Sequence, residues 1–135
     1  ARNLSASGTA LIHTIGRPDP PRNVSRFITK YIFPGGYIPS LSQIATAVER
    51  TGLLITDVEC LYQHYAETLK HWRLNFLANR DKVIEMYDDH FARIWECYLA
   101  GCEAAFRAKH LMVFQVQLKS PDAEVKLTRD YLYQD

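Results

Sequence analysis

The chain has 135 residues, of which 47% are apolar and 23% charged, and a formal net charge of +1. This length suits one domain with a real core spanning residues 1–135, and the charge balance excludes nucleic-acid binding driven by a basic surface. Cys60, Cys97 and Cys102 have no metal-type spacing and read as reduced, buried thiols of a cytosolic protein. No apolar run reaches the ~18 residues of a membrane span, and no signal-peptide pattern opens the chain. The start on Ala1, running almost at once into a strand pattern, reads as a chain cut inside a domain.

In chain order, Thr9 to Ile15 is a nearly continuous apolar run and predicts a buried strand. Gly16 and the cluster Arg17-Pro18-Asp19-Pro20-Pro21 end it. Asn23 or Ser25 can cap a short helix through Val24, Phe27, Ile28 and Tyr31. The next stretch, Phe33-Pro34-Gly35-Gly36-Tyr37-Ile38-Pro39-Ser40, carries large apolar side chains on a backbone restricted by two prolines and opened by two glycines. Such a loop either plugs a core or lines an apolar pocket. Ser40 with Gln43 forms a capping-box pattern for a helix through Leu41, Ile44, Ala45 and Val48, which Gly52 stops.

Leu53 to Val58 returns to strand character. From Tyr62 the period becomes helical, with Tyr65, Ala66, Leu69, Trp72 and Phe76 on one face. Asn79-Arg80-Asp81 is a break, and Val83, Ile84 and Tyr87 mark a brief helix. A long helix starts at Asp88 or Asp89 and turns Phe91, Ile94, Trp95, Tyr98, Cys102, Ala105 and Phe106 inward. Leu111 to Leu118 is a strand, and the tail from Val125 to Tyr133 has no clear period. The order predicts an α/β sheet of about three strands with helical crossovers, and the helical stretch 62–110 is long enough to form a lid as well.

His13, near the carboxyl end of the first strand, can donate to an anion, move a proton, or simply bond a nearby carbonyl. Tyr65 lies on an apolar stripe, so its hydroxyl either points at a ligand or reaches backbone or water. His64 and His71 lie with Thr68 on the opposite face and read as solvated, not as metal ligands. No glycine-rich turn joins a strand to a helix, so no cofactor cradle is visible.

Several segments together resemble the cyclopropane-fatty-acyl-phospholipid synthases, a family that includes the mycolic acid cyclopropane synthases. They are Leu11-Ile12-His13-Thr14-Ile15-Gly16, the stretch from Tyr31 to Ser40, His64-Tyr65-Ala66-Glu67-Thr68-Leu69 with Trp72, Trp95-Glu96-Cys97-Tyr98-Leu99 with Ala105-Phe106, and the tail Leu127 to Tyr133. The resemblance implies the C-terminal part of a doubly wound class I methyltransferase fold that uses S-adenosylmethionine. It implies addition of a methyl carbon across a cis double bond of a phospholipid acyl chain, with bicarbonate taking the proton whose loss closes the ring. By the same resemblance, His13 and Tyr65 act in catalysis and hold bicarbonate with Ile15, which contributes a backbone N–H. Phe33, Pro34, Gly35, Gly36, Tyr37 and Ile38 correspond to the acyl-channel wall.

Family members are longer and carry upstream the glycine turn for S-adenosylmethionine and a cysteine and glutamate of the bicarbonate site. The chain is therefore expected to resemble the C-terminal third of such an enzyme and to bind neither group well alone. A truncated, non-catalytic lipid- or partner-binding module is the alternative. A phospholipid substrate implies a cytoplasmic protein peripheral to the membrane's inner face. An unpaired strand edge implies a homodimer or a complementing N-terminal portion.

Overall fold

The structure is a computed structural model, and it describes residues 3–133. Strands β1 (Thr9–Gly16), β2 (Leu54–Leu61) and β3 (Met112–Lys119) form one sheet in the order β1-β3-β2. Helices α1 (Arg26–Tyr31) and α2 (Leu41–Glu49) lie between β1 and β2, and α3 (Gln63–Ala78), α4 (Arg80–Met86) and α5 (Asp89–Arg107) between β2 and β3. The helices connect the strands as expected, but each neighbouring pair runs antiparallel. A 3₁₀ turn at Asp130–Leu132 closes the tail, and Tyr131 reaches back to Gln117 of β3 with Oη 3.1 Å from its amide nitrogen.

The central strand divides the core. Phe114, Val116 and Leu118 face α2, where Val48 is buried and Leu41 and Ile44 pack beside it. Val113 faces the other way, into a cluster with Ala66 and Leu69 of α3 and Leu99 and Phe106 of α5. Each fully buried side chain of this kind contributes about 1.5–3 kcal/mol relative to exposure. Register carries the alternation across the sheet: Ile15 and Leu61 flank Val113, and His13 and Glu59 flank Gln115.

Local signals set the element ends. Ser25 accepts from the Ile28 N–H at 3.4 Å, Asp88 accepts from the Phe91 N–H, and Ser40 with Gln43 forms the expected capping box. Helix α5 ends in a Schellman motif, with His110 N–H on the Ala105 carbonyl and Lys109 N–H on the Phe106 carbonyl. The left-handed position is filled by Lys109, at φ 60°.

Several burial expectations are corrected. Strand β1 is largely exposed, with Leu11 at 60%, because its outer edge meets no strand among the described residues. Trp72 is about half exposed, since α3 lies at the protein's surface there. Cys60 and Cys97 are exposed, and only Cys102 is partly buried. The deepest stripe of α5 is Ala92, Leu99, Glu103 and Phe106, one step round from the predicted face. The predicted face still turns inward in part: Phe106 is in the core, Trp95, Tyr98 and Cys102 pack against it half-buried, and Tyr98 and Cys102 also line the cavity beside the aromatic loop.

Candidate active site

Phe33-Pro34-Gly35-Gly36 folds as a type II turn, with the Gly36 N–H on the Phe33 carbonyl at 2.9 Å and Gly35 at φ 74°. A side chain at Gly36 would meet Phe33 at 3.0 Å, while one at Gly35 would meet open space. The Tyr37 hydroxyl donates to Gln43 Oε1 at 3.0 Å, the oxygen that also accepts from the Ser40 N–H. The loop is thereby fixed to the start of α2. It does not plug the core: Phe33 and Tyr37 remain about half exposed, and Phe33 meets the edge of Tyr98 at a centroid distance of 5.9 Å.

Behind the loop is a cavity of about 590 Å³. His13 and Ile15 reach it from β1, Phe33, Gly36, Tyr37 and Ile38 from the loop, and Tyr65 from α3. These are the residues the resemblance groups together; Pro34 and Gly35 form the outer corner of the turn and stay off the cavity lining. Sequence reasoning had not assigned Leu69, Tyr98, Cys102, Phe106 and Leu111 to a site, although they close the cavity from below. Their apolar periodicity marks them only as inward-facing.

His13 Nδ1 lies 3.2 Å from Nε2 of Gln115, its cross-strand partner. An amide nitrogen only donates, so Nδ1 accepts and the neutral ring carries its proton on Nε2. The ring is left with one donor to offer, and Gln115, missed in the sequence, holds that tautomer. Only strand register could have revealed it. Arg17 N–H bonds the Pro39 carbonyl at 3.0 Å on the outer side of β1. Strand alternation directs the Ile15 N–H to that same side, away from β3.

The Tyr65 ring packs on Phe106 at 4.8 Å and on the edge of Trp72 at 6.1 Å. Burial, and then the nearby Cys102 thiol, push the Tyr65 phenol above its ordinary value, so it stays a donor at neutral pH. Its hydroxyl makes no hydrogen bond among the described residues. Burial likewise pushes Tyr98 up to about 12 and Cys102 up to about 11. The cavity lining is thus mostly apolar, its polar groups being the His13 ring, the Thr14 and tyrosine hydroxyls and the Cys102 thiol. His64 and His71 are exposed on α3, away from it. Among the described residues no group of three or more His, Cys, Asp or Glu side chains is placed to hold a metal ion.

Fold and sequence comparisons agree on what this arrangement belongs to. The mycolic acid cyclopropane synthase CmaA1, solved with SAH and CTAB, superposes with a TM-score of 0.81 at 30% identity, over 88% of this chain and 46% of that chain. The fold is the C-terminal part of a class I S-adenosylmethionine-dependent methyltransferase, three strands with several helices. The family model for mycolic acid cyclopropane synthetase matches residues 1–116, and the chain belongs to that family. Tuberculostearic acid methyltransferase UfaA1 of Mycobacterium tuberculosis is 47% identical over 96 residues, 70% of this chain and 22% of its own length. The cyclopropane-fatty-acyl-phospholipid synthase of Escherichia coli (strain K12) is 38% identical over 115 residues, 85% of this chain and 30% of its own. The chain thus spans between about a fifth and a half of the relatives it matches.

Proposed function

We propose that this chain is the acyl-binding part of a lipid methyltransferase of the cyclopropane synthase type, acting on the cis double bond of a phospholipid acyl chain. The observation that carries the reading is the convergence of His13, Ile15 and Tyr65 on the one apolar cavity walled by Phe33, Gly36, Tyr37 and Ile38. The cavity suits an alkyl chain, which gains by leaving water and asks for no polar partner.

The donor set suits a small oxyanion such as bicarbonate, which in this reading takes the proton released on ring closure. His13 offers Nε2–H, Tyr65 a hydroxyl with no other partner among the described residues, and Ile15 a backbone N–H. Once an alkyl chain has displaced water from the cavity, such donors are worth more than in water. Their work is to hold and orient the base, with Gln115 keeping the His13 proton on Nε2. For S-adenosylmethionine, which would supply the methyl group, the described residues offer no glycine-rich cradle between a strand and a helix. Its cradle is placed, in this proposal, in the length of the relatives that this chain does not span. Contact with the membrane surface follows from a phospholipid substrate.

The test is Tyr65→Phe in the full-length protein carrying this segment. Methyl transfer to an oleoyl phospholipid is expected to slow by about tenfold or more, the loss of one preorganised donor, with the melting temperature unchanged. A large fall in melting temperature with turnover per folded molecule preserved would instead make Tyr65 a core aromatic.

A further inference from the structure

A second cavity, of about 560 Å³, adjoins the first and shares Ile28, Ile38, Tyr98, Cys102 and Leu111 with it. Its character differs, because Arg17, Arg22, Asn23 and His110 also line it. Arg17 is the anomaly. It is 3% exposed, yet a guanidinium carries five N–H donors and strands the energy of solvation when they are unmet. Nε donates to the Ile38 carbonyl at 3.2 Å. Nη1 is buried and makes no hydrogen bond. The nearest carboxylate oxygen, Asp19 Oδ1, is 3.9 Å away, too far for a bond, and is itself buried without a partner. The other Asp19 oxygen is held by Arg22 Nε at 2.8 Å. Two arginines against one aspartate leave this end of the cavity with a net positive charge.

We propose that Arg17, with Arg22 and His110 lining the same cavity, binds the oxyanion at the end of the acyl substrate whose chain occupies the adjoining apolar cavity. This rests on the reading of that cavity as an acyl channel. The ligand class is an amphiphile with a phosphate or carboxylate end. Ile28, Ile38 and Tyr98 border both spaces, so an alkyl chain in the first cavity lies one apolar side chain away from the second. A planar, permanently charged fork suits either oxyanion.

The experiment titrates the full-length protein carrying this segment, at low salt, with three probes below their micelle thresholds: dihexanoylphosphatidylglycerol, decanoate and neutral dihexanoylglycerol. The anionic probes are expected to bind about tenfold or more tighter than the neutral one, as charge-assisted bonds to a buried arginine imply. In Arg17→Gln combined with Arg22→Gln that preference, read as the ratio of anionic to neutral affinity, falls to about unity. Tighter binding of the phospholipid marks a membrane-lipid phosphate as the source, and tighter binding of decanoate marks a free carboxylate. Because Arg17 also anchors the Ile38 carbonyl, Arg22→Gln is read alone at its more exposed position, with melting temperature recorded. A loss of anion preference without a loss of stability supports the site. Binding of the neutral probe with no anion preference, or a preference that survives the double variant, overturns it. Binding of no probe at all overturns the acyl-channel reading and this proposal with it.

Discussion

Gly16 shows how tightly the end of β1 is held. A Cβ built there would lie 2.4 Å from the Phe114 ring and 3.0 Å from the Pro39 carbonyl oxygen. Phe114 is a fully buried residue of the central strand and has no room to swing aside. Gly16→Ala is therefore expected to cost about 1–3 kcal/mol, read as a lower urea midpoint at unchanged slope. The sequence marks Gly16 as a strand stop, which is correct for its position. It gives no hint of the ring against it, because Phe114 is far away in the chain and arrives only through the β1–β3 register. The same holds for Gln115 on His13 and for the buried guanidinium of Arg17, which reads in the sequence as one more charge in a proline-rich loop. His13, Ile15 and Tyr65 were legible as a set through family resemblance alone, since periodicity gives each of them an ordinary structural role.

At the level of elements, what could be read was local. Caps at Ser25, Ser40 and Asp88 depend on neighbours three residues away, and each is present. The cap of α5 was not foreseen because Lys109 stands where glycine usually does. Burial was harder: a continuous apolar run signals a strand covered on both faces, yet β1 is covered on neither for much of its length. The ion network joining α3 to α5 was equally invisible. Glu103 accepts from Arg73 Nε at 2.9 Å and from Arg107 Nε at 3.0 Å, and Arg107 also reaches Glu67 at 2.9 Å. The Arg73 hydrogen bond above all, with Arg107, holds the Glu103 carboxyl below its ordinary value of 4.5. A depressed folded-state value gives stability that is present above about pH 4.5 and lost as pH falls through the folded value. Thermal melts across this range are expected to show that loss. Glu103→Gln should lower the melting temperature by a few degrees at pH 7 and flatten the acid limb, because it leaves two arginines without their shared partner. An unchanged acid limb in the variant would assign the pH dependence to other carboxylates.

For the whole molecule, the sheet is the open question of the surface. The described residues place β1 and β2 at its two edges, and beyond the Arg17–Ser40 bridge the outer side of β1 meets no strand. Leu11, Ile12, Leu54 and Ile55 are exposed along these strands. Open edges and apolar side chains together favour pairing with another strand. The 135-residue chain, studied alone, is expected to self-associate, giving by light scattering the mass of two chains at high concentration. A clean monomer across the concentration range would show that the edge is tolerated in water. No helix among the described residues is long and apolar enough to cross a membrane.

The row of rings along α5 has a photophysical consequence. Tyr87 stacks on Phe91 at 4.5 Å, Phe91 on Trp95 at 5.9 Å, and Trp95 leans on Tyr98 at 5.1 Å, which in turn meets Phe33. Tyr98 borders both cavities. The indole of Trp95 therefore sits one ring away from whatever fills them, at a spacing where excited tyrosines pass their energy on. With Trp72 replaced by Phe, its emission colour and lifetime become an internal gauge of how wet the cavities are, with no label added.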